Sequence, residues 1–159
     1  MKSAVDASVL IFFAKLNKLE LLPKLFGKLF VSSVVLSEVM NGESKGFREA
    51  AEVQKLVSEG KILVVSFKGT KPVSGEKATI AAAKTEKAEA VLMDDFAGIK
   101  EAKLQGLKAY SCPFILLKAL KLKHISRNEF SELLDRLLSY NYFISPRMLK
   151  KIIELSEKA

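Results

Sequence analysis

Ala90-Val91-Leu92-Met93-Asp94-Asp95 is a short apolar run that stops on two adjacent acids and leads into a helical pattern over 96–105. An uninterrupted apolar run of this length fits a strand buried on both faces inside a parallel sheet. The same arrangement opens the chain, where Ser3-Ala4-Val5 ends on Asp6 and a helical pattern follows over 7–17. Further short runs at 28–31, 62–67 and 107–110 alternate with helical patterns at 19–26, 33–40, 47–59, 75–87 and 113–122. Strands alternating with helices mark βαβ units. The expected fold is therefore α/β, a three-layer α/β/α sandwich with a mostly parallel sheet of about five strands. Two more helices, at 127–139 and 146–157, form a C-terminal pair joined by Tyr140-Asn141-Tyr142-Phe143-Ile144-Ser145. Turn residues support the divisions: Asn41-Gly42 and Gly60 end helices, and Gly69-Thr70-Lys71-Pro72 precedes the helix start at Ser74-Gly75-Glu76. In such a sheet the carboxyl ends of the strands open onto a shared crevice, and function is expected there.

With 159 residues, 49% hydrophobic and 28% charged, the chain is expected to form a single domain, 1–159, with a real core. Only 8 Gly and 4 Pro exclude collagen-like and linker-like classes. Lys and Arg outnumber Asp and Glu by 26 to 18, a net charge of +8 that favours a phosphate-bearing partner. The single cysteine, Cys112, cannot form an internal disulfide, and no run approaches the roughly 20 apolar residues of a membrane span. A cytoplasmic location is expected.

Of the four Asp, three directly follow apolar strands: Asp6, Asp94 and Asp95. Asp is a favoured helix cap, and that is the plain reading of either site, but capping needs one side chain and not two adjacent ones. Glu38 lies between Val34 and Val35 on a helical wheel, inside the arc that carries Val39, so its carboxylate is expected to face inward. A buried carboxylate needs a lysine, an arginine or a metal. Glu76 opens a helix with Ile80 and Ala83 on the same face, although an acid in the first helical turn is favoured by the helix dipole in any case. Together, Asp6, Glu38, Glu76 and Asp94 or Asp95 offer carboxylates from four segments toward one crevice. All-oxygen ligand sets suit Mg²⁺ or Mn²⁺, and such ions support phosphodiester hydrolysis.

Four segments carry a resemblance: 5–11 (Val-Asp-Ala-Ser-Val-Leu-Ile), 31–39 (Val-Ser-Ser-Val-Val-Leu-Ser-Glu-Val), 75–81 (Gly-Glu-Lys-Ala-Thr-Ile-Ala) and 91–95 (Val-Leu-Met-Asp-Asp). In this order the chain resembles PIN-domain proteins, the ribonuclease fold of VapC-type toxins, and in particular a PIN-like branch of formerly unassigned function. That branch also ends in two helices, so the resemblance spans nearly the whole chain. It implies that Asp6, Glu38, Glu76 and Asp95 are the catalytic acids, with Asp94 sharing or replacing the last role. It also implies Mg²⁺ or Mn²⁺ as cofactor, RNA as substrate, an antitoxin protein as partner, and a homodimer. Ser8 matches a small hydroxyl residue after the first acid. Two departures stand out. Gly98-Ile99 replaces an Ala-Arg step, and Tyr110-Ser111-Cys112-Pro113 replaces a Gly-Thr step followed by Gly. Ser111 supplies a hydroxyl in that second segment, whereas Pro113 removes a backbone donor.

The expected function is a metal-dependent endoribonuclease, with a catalytically impaired PIN-like module that binds RNA or protein as the alternative. Lys108, Lys118, Lys121, Lys123 and Arg127 follow one another without an acid, either as a solvated helix face or as an RNA contact. His124 reads as a helix-end residue and Cys112 as a small packed one. No phosphate loop, zinc-ligand spacing or Ser-His-Asp set is present. A receiver-like phosphoacceptor would carry its acidic pair at the first strand, and here the pair follows the fourth.

Overall fold

The computed structural model describes residues 1–41 and 47–159. In chain order these form β1 (Lys2–Val5), α1 (Ala7–Lys15), α2 (Leu21–Phe26), β2 (Lys28–Ser32), α3 (Ser33–Met40), α4 (Phe47–Ser58) and β3 (Ile62–Val65). The order continues with α5 (Gly75–Thr85), β4 (Ala90–Leu92), α6 (Phe96–Leu104), β5 (Lys108–Tyr110), α7 (Cys112–Lys121), α8 (Arg127–Ser139) and α9 (Pro146–Glu157).

All five strands are parallel and lie in the order β3-β2-β1-β4-β5, the α/β architecture expected from the sequence. Ala4 of β1 stands opposite Phe30 of β2 on one side and Val91 of β4 on the other. Ala4, Val5, Leu29, Val31, Ala90, Val91 and Leu92 are completely buried, which is why the three central strands read as continuous apolar runs. Right-handed crossovers put α1, α3 and α4 on one face of the sheet and α5 and α6 on the other. Accordingly α1 packs on α3 and α4, and α5 lies across β1, β2 and β4 and touches α6. The chain leaves β1 toward β2 but leaves β4 toward β5. The strand order thus reverses between β1 and β4, where open α/β sheets have their crevice.

The chain divides into two compact units, Met1–Ser111 and Cys112–Ala159. In the second, α7 packs on α8 and α9, with Ile115, Leu116, Phe130, Leu133, Leu134, Leu137 and Ile152 buried. A capping box starts α8: Ser126 Oγ accepts from the Glu129 amide and Glu129 Oε1 from the Ser126 amide. Arg127 donates to the carbonyls of Ser156 and Ala159.

Some elements end earlier than the apolar pattern predicts. β3 stops at Val65, and the Phe67 amide donates to Ser33 Oγ instead of extending the ladder. α1 and α5 stop at Lys15 and Thr85 because Asn17 and Lys87 turn into the left-handed region, at φ 57° and 55°. Asn41 caps the C-terminus of α3 as expected, while Gly42 lies outside the described residues. Among those residues, no helix is long and apolar enough to cross a membrane.

Candidate functional site

Asp6 leaves β1 at the point where the strand order reverses. Its amide donates to the Leu92 carbonyl at 2.9 Å, which holds the ends of β1 and β4 level. Its carboxylate caps α1, Oδ1 accepting from the Ala7 amide at 2.9 Å, and only 5% of the residue is exposed. Thr79, fully buried on α5, places its hydroxyl 3.4 Å from the same oxygen and donates to the Gly75 carbonyl at 2.8 Å.

Glu38 approaches from α3. Both its carboxylate oxygens lie 3.0 Å from the point that a Cβ on Gly75 would occupy, and Asp6 Oδ1 lies 3.1 Å from it. The missing side chain at position 75 is therefore the space in which two carboxylates meet. As a whole residue Glu38 is exposed, so it belongs to the rim and not to the core, while its carboxylate is aimed at Asp6. Val35 and Val39 alone are buried on that helix, so the apolar arc is narrower than the wheel implies, and Glu38 hangs at its edge over the crevice.

Glu76, half-buried on the first turn of α5, acts on both. The Asp6 carboxyl is pushed up to about 7, first by burial and then by the charges of Glu76 and Glu38, against the pull of the Ala7 amide. The Glu38 carboxyl is raised by burial and by Glu76. Among the described residues, no lysine or arginine is ion-paired with any of the three. The salt-bridge explanation of Glu38 thus has no partner there.

The pair after β4 divides its work. Asp94, half-buried, accepts from Ser8 Oγ at 2.9 Å, which ties it to the first turn of α1 beside Asp6. Asp95 is exposed and caps α6, its Oδ2 accepting from the Gly98 amide at 2.7 Å. A Cβ on Gly98 would stand 3.1 Å from Cβ and Cγ of Glu76 and 2.9 Å from Met93 Sδ. Gly98 is thus the residue that lets α6 approach the Glu76 stem. Ile99 packs on the core of the α5–α6 face, with Ile80, Val91 and Met93. Ser111 is half-buried after β5, and Pro113 falls in the first turn of α7, where an amide has no intrahelical acceptor to lose.

Among the described residues, no three Asp, Glu, His or Cys side chains stand close enough to enclose a cation by themselves. Mg²⁺ is usually held by one or two carboxylates, with waters and substrate phosphates completing the shell. Two uncompensated carboxylates facing one Cβ-sized space, with a third acid acting on both, fit an ion of that kind. Gly75 and Thr79 were not singled out from the sequence. A helix-starting glycine has many uses, and a threonine one turn on reads as ordinary helix. The basic stretch from Lys108 forms no single helical face: Lys108 lies on β5, Lys118 and Lys121 on α7, Lys123 in a left-handed turn, and Arg127 donates to the carbonyls of Ser156 on α9 and Ala159 just beyond it. His124 is exposed beyond α7 and Cys112 is buried at its start, as expected.

A family model described as a PIN domain (DUF3368) matches residues 2–158. No curated protein matches. Among solved structures, the chain is similar to a PilT N-terminus domain protein, SSO1118, from the hyperthermophilic archaeon Sulfolobus solfataricus P2. That likeness is at 16% identity and a TM-score of 0.47, and it covers 91% of this chain and 100% of the other. It is also similar to the PIN domain endonuclease Utp24, at 13% identity and a TM-score of 0.49, over 69% of this chain and 84% of the other.

Proposed function

The chain belongs to the PIN-domain family, and from that premise we propose that it is a metal-dependent endoribonuclease cutting RNA at the crevice between β1 and β4. The observation that carries the reading is the meeting of Asp6 and Glu38 over Gly75 under the charge of Glu76, with no basic partner among the described residues. Acids in that arrangement repel, and burial makes the repulsion costly unless a cation joins them. Asp6, Glu38, Glu76 and one or both of Asp94 and Asp95 would hold Mg²⁺ or Mn²⁺. When bound, the ion supplies positive charge against the phosphate oxygens and acidifies a coordinated water.

The protein's own groups do the rest. The Ala7 amide and the β1–β4 ladder fix the Asp6 carboxylate, so little reorganisation is needed when substrate arrives. Ser8 orients Asp94 and, with Ser111, stands as a candidate for positioning the RNA strand. A carboxylate oxygen free of the ion orients the attacking water and accepts its proton as the phosphorus–oxygen bond to the leaving nucleotide breaks. The two departures from the family pattern do not favour the impaired-module alternative. Gly98 and Ile99 serve the packing of α6, and Pro113 sits where a helix tolerates it.

The reading extends to a toxin whose antitoxin acts by covering this crevice, and to a cytoplasmic homodimer. The test is gel-resolved cleavage of a mixed single-stranded RNA pool with Mn²⁺, with EDTA, and with Asp6→Asn or Glu38→Gln. The expected result is product from the wild type with Mn²⁺ only, at least about a hundredfold slowed in either variant. Cleavage by both variants at the wild-type rate, with their circular dichroism unchanged, contradicts the assignment.

A further inference from the structure

A groove of about 530 Å³ runs between α5 and α6 and opens at one end on Glu76 and Asp95. Its apolar lining is of small residues and one isoleucine: Ile80, Ala81, Ala97 and Gly98. Lys77 and Lys84, two helical turns apart on α5, stand along one wall, and both are exposed. No carboxylate is ion-paired with either among the described residues. On the opposite wall Glu101 is occupied by Gln105, whose Nε2 donates to it at 2.6 Å. With no ion pair among the described residues, the two exposed lysines are available to an anion.

Size and chemistry together identify an occupant. The volume lies in the range of sites that hold a small molecule of a few rings. The small apolar side chains of the lining suit the face of a base, which is bound by stacking and van der Waals contact. Two ammonium groups about two helical turns apart on the wall, with no ion pair among the described residues, suit the phosphates of one strand. The groove shares Glu76 and Asp95 with the carboxylate crevice, so a strand whose scissile phosphate lies at the crevice has its neighbouring nucleotide at the groove mouth.

We propose that the α5–α6 groove is the subsite for the nucleotide flanking the scissile bond, with Lys77 and Lys84 holding the strand's phosphates and the Ala81–Ala97 lining holding the base. This rests on the nuclease reading for the scissile bond that the nucleotide flanks, but occupation of the groove by a nucleotide does not. Size selection at the lining then makes the groove a determinant of which base stands beside the cut.

The test uses the full-length protein and two probes, a nucleoside 5′-monophosphate and a fluorescein-labelled single-stranded RNA octamer, both in EDTA. The monophosphate is followed by amide chemical shifts and the octamer by anisotropy. The expected result is shifts at Ala81, Ala97 and Gly98 that the unlabelled octamer displaces. Octamer binding is expected to weaken about tenfold in Ala81→Trp, which fills the groove, and by a similar factor in Lys84→Glu. Lys84 is exposed, so the second variant tests the groove even if the tryptophan disturbs α5. Octamer affinity unchanged in both variants, or shifts absent from the three lining amides, overturns the proposal. Shifts that the octamer does not displace mark a site for free nucleotides and overturn the strand assignment. Mn²⁺-dependent RNA cleavage by the wild type without groove binding removes the subsite and leaves the nuclease reading standing. Groove binding without any cleavage removes the nuclease reading and with it the flanking assignment, and leaves the groove as a nucleotide site alone.

Discussion

Gly75 directly follows the Ser74 cap, and an alanine there would ordinarily strengthen α5 by up to about 1 kcal/mol. Here its methyl group would fall 3.0 to 3.1 Å from the oxygens of Glu38 and Asp6. Gly75→Ala is therefore expected to lower Mn²⁺ affinity in calorimetry by about tenfold or more, with the gain in helix propensity offset in thermal stability by the crowding of the fixed Asp6 carboxylate. An unchanged affinity would mean that the two carboxylates do not share that space. Asp6 gives a second prediction, with a definite sign. Its carboxyl rises from 3.8 to about 7 on folding, so the folded chain holds this proton more tightly than the unfolded chain. The stability that follows is fully present below pH 3.8 and is lost as pH rises through about 7. In EDTA, urea midpoints of the wild type should drop across that window relative to Asp6→Asn. A gap between the two proteins that does not change with pH would contradict the shift.

The elements show which features a sequence can announce. The acids after β1 and β4 were legible because a charge that ends a buried strand has few other places to go. The helix starts expected at 33, 75, 127 and 146 hold, and the structure shows why: Ser32, Ser74, Ser126 and Ser145 all cap through their own hydroxyls. Helix ends were less legible: Lys87 and Lys123 adopt left-handed backbone without the glycine or asparagine that would signal it. The wheel gave the direction of the Glu38 carboxylate, toward Gly75 and Asp6, but not the exposure of the residue, because α3 buries only Val35 and Val39 and the rest of its apolar arc is rim. The roles of Gly75 and Gly98 were hidden because they depend on side chains from distant segments of the chain, Glu38 and Asp6 for the first and Glu76 and Met93 for the second. Asp95 yields the prediction at this scale. Asparagine caps a helix about as well as aspartate, so Asp95→Asn should keep α6 intact, whereas Asp95→Ala should cost about 1 kcal/mol in urea denaturation. Equal stability of the two variants would show that the Asp95–Gly98 hydrogen bond contributes nothing.

Across the molecule, 26 basic residues against 18 acidic ones surround a crevice whose own side chains are acidic. A chain so charged draws in a polyanion, while the crevice repels it until a cation is present. Metal and RNA should accordingly bind with mutual reinforcement, each tightening the other by the same factor. The claim under all of this is that Asp6, Glu38 and Glu76 form a metal site and not a set of caps and surface acids. The most direct test is calorimetric titration of Mn²⁺ at a pH about one unit above the value of about 7 that Asp6 reaches, into the wild type and Asp6→Asn. The account predicts saturable binding by the wild type and a loss of about a hundredfold or more in the variant. Equal affinity in the two proteins, or no binding by either, would contradict it.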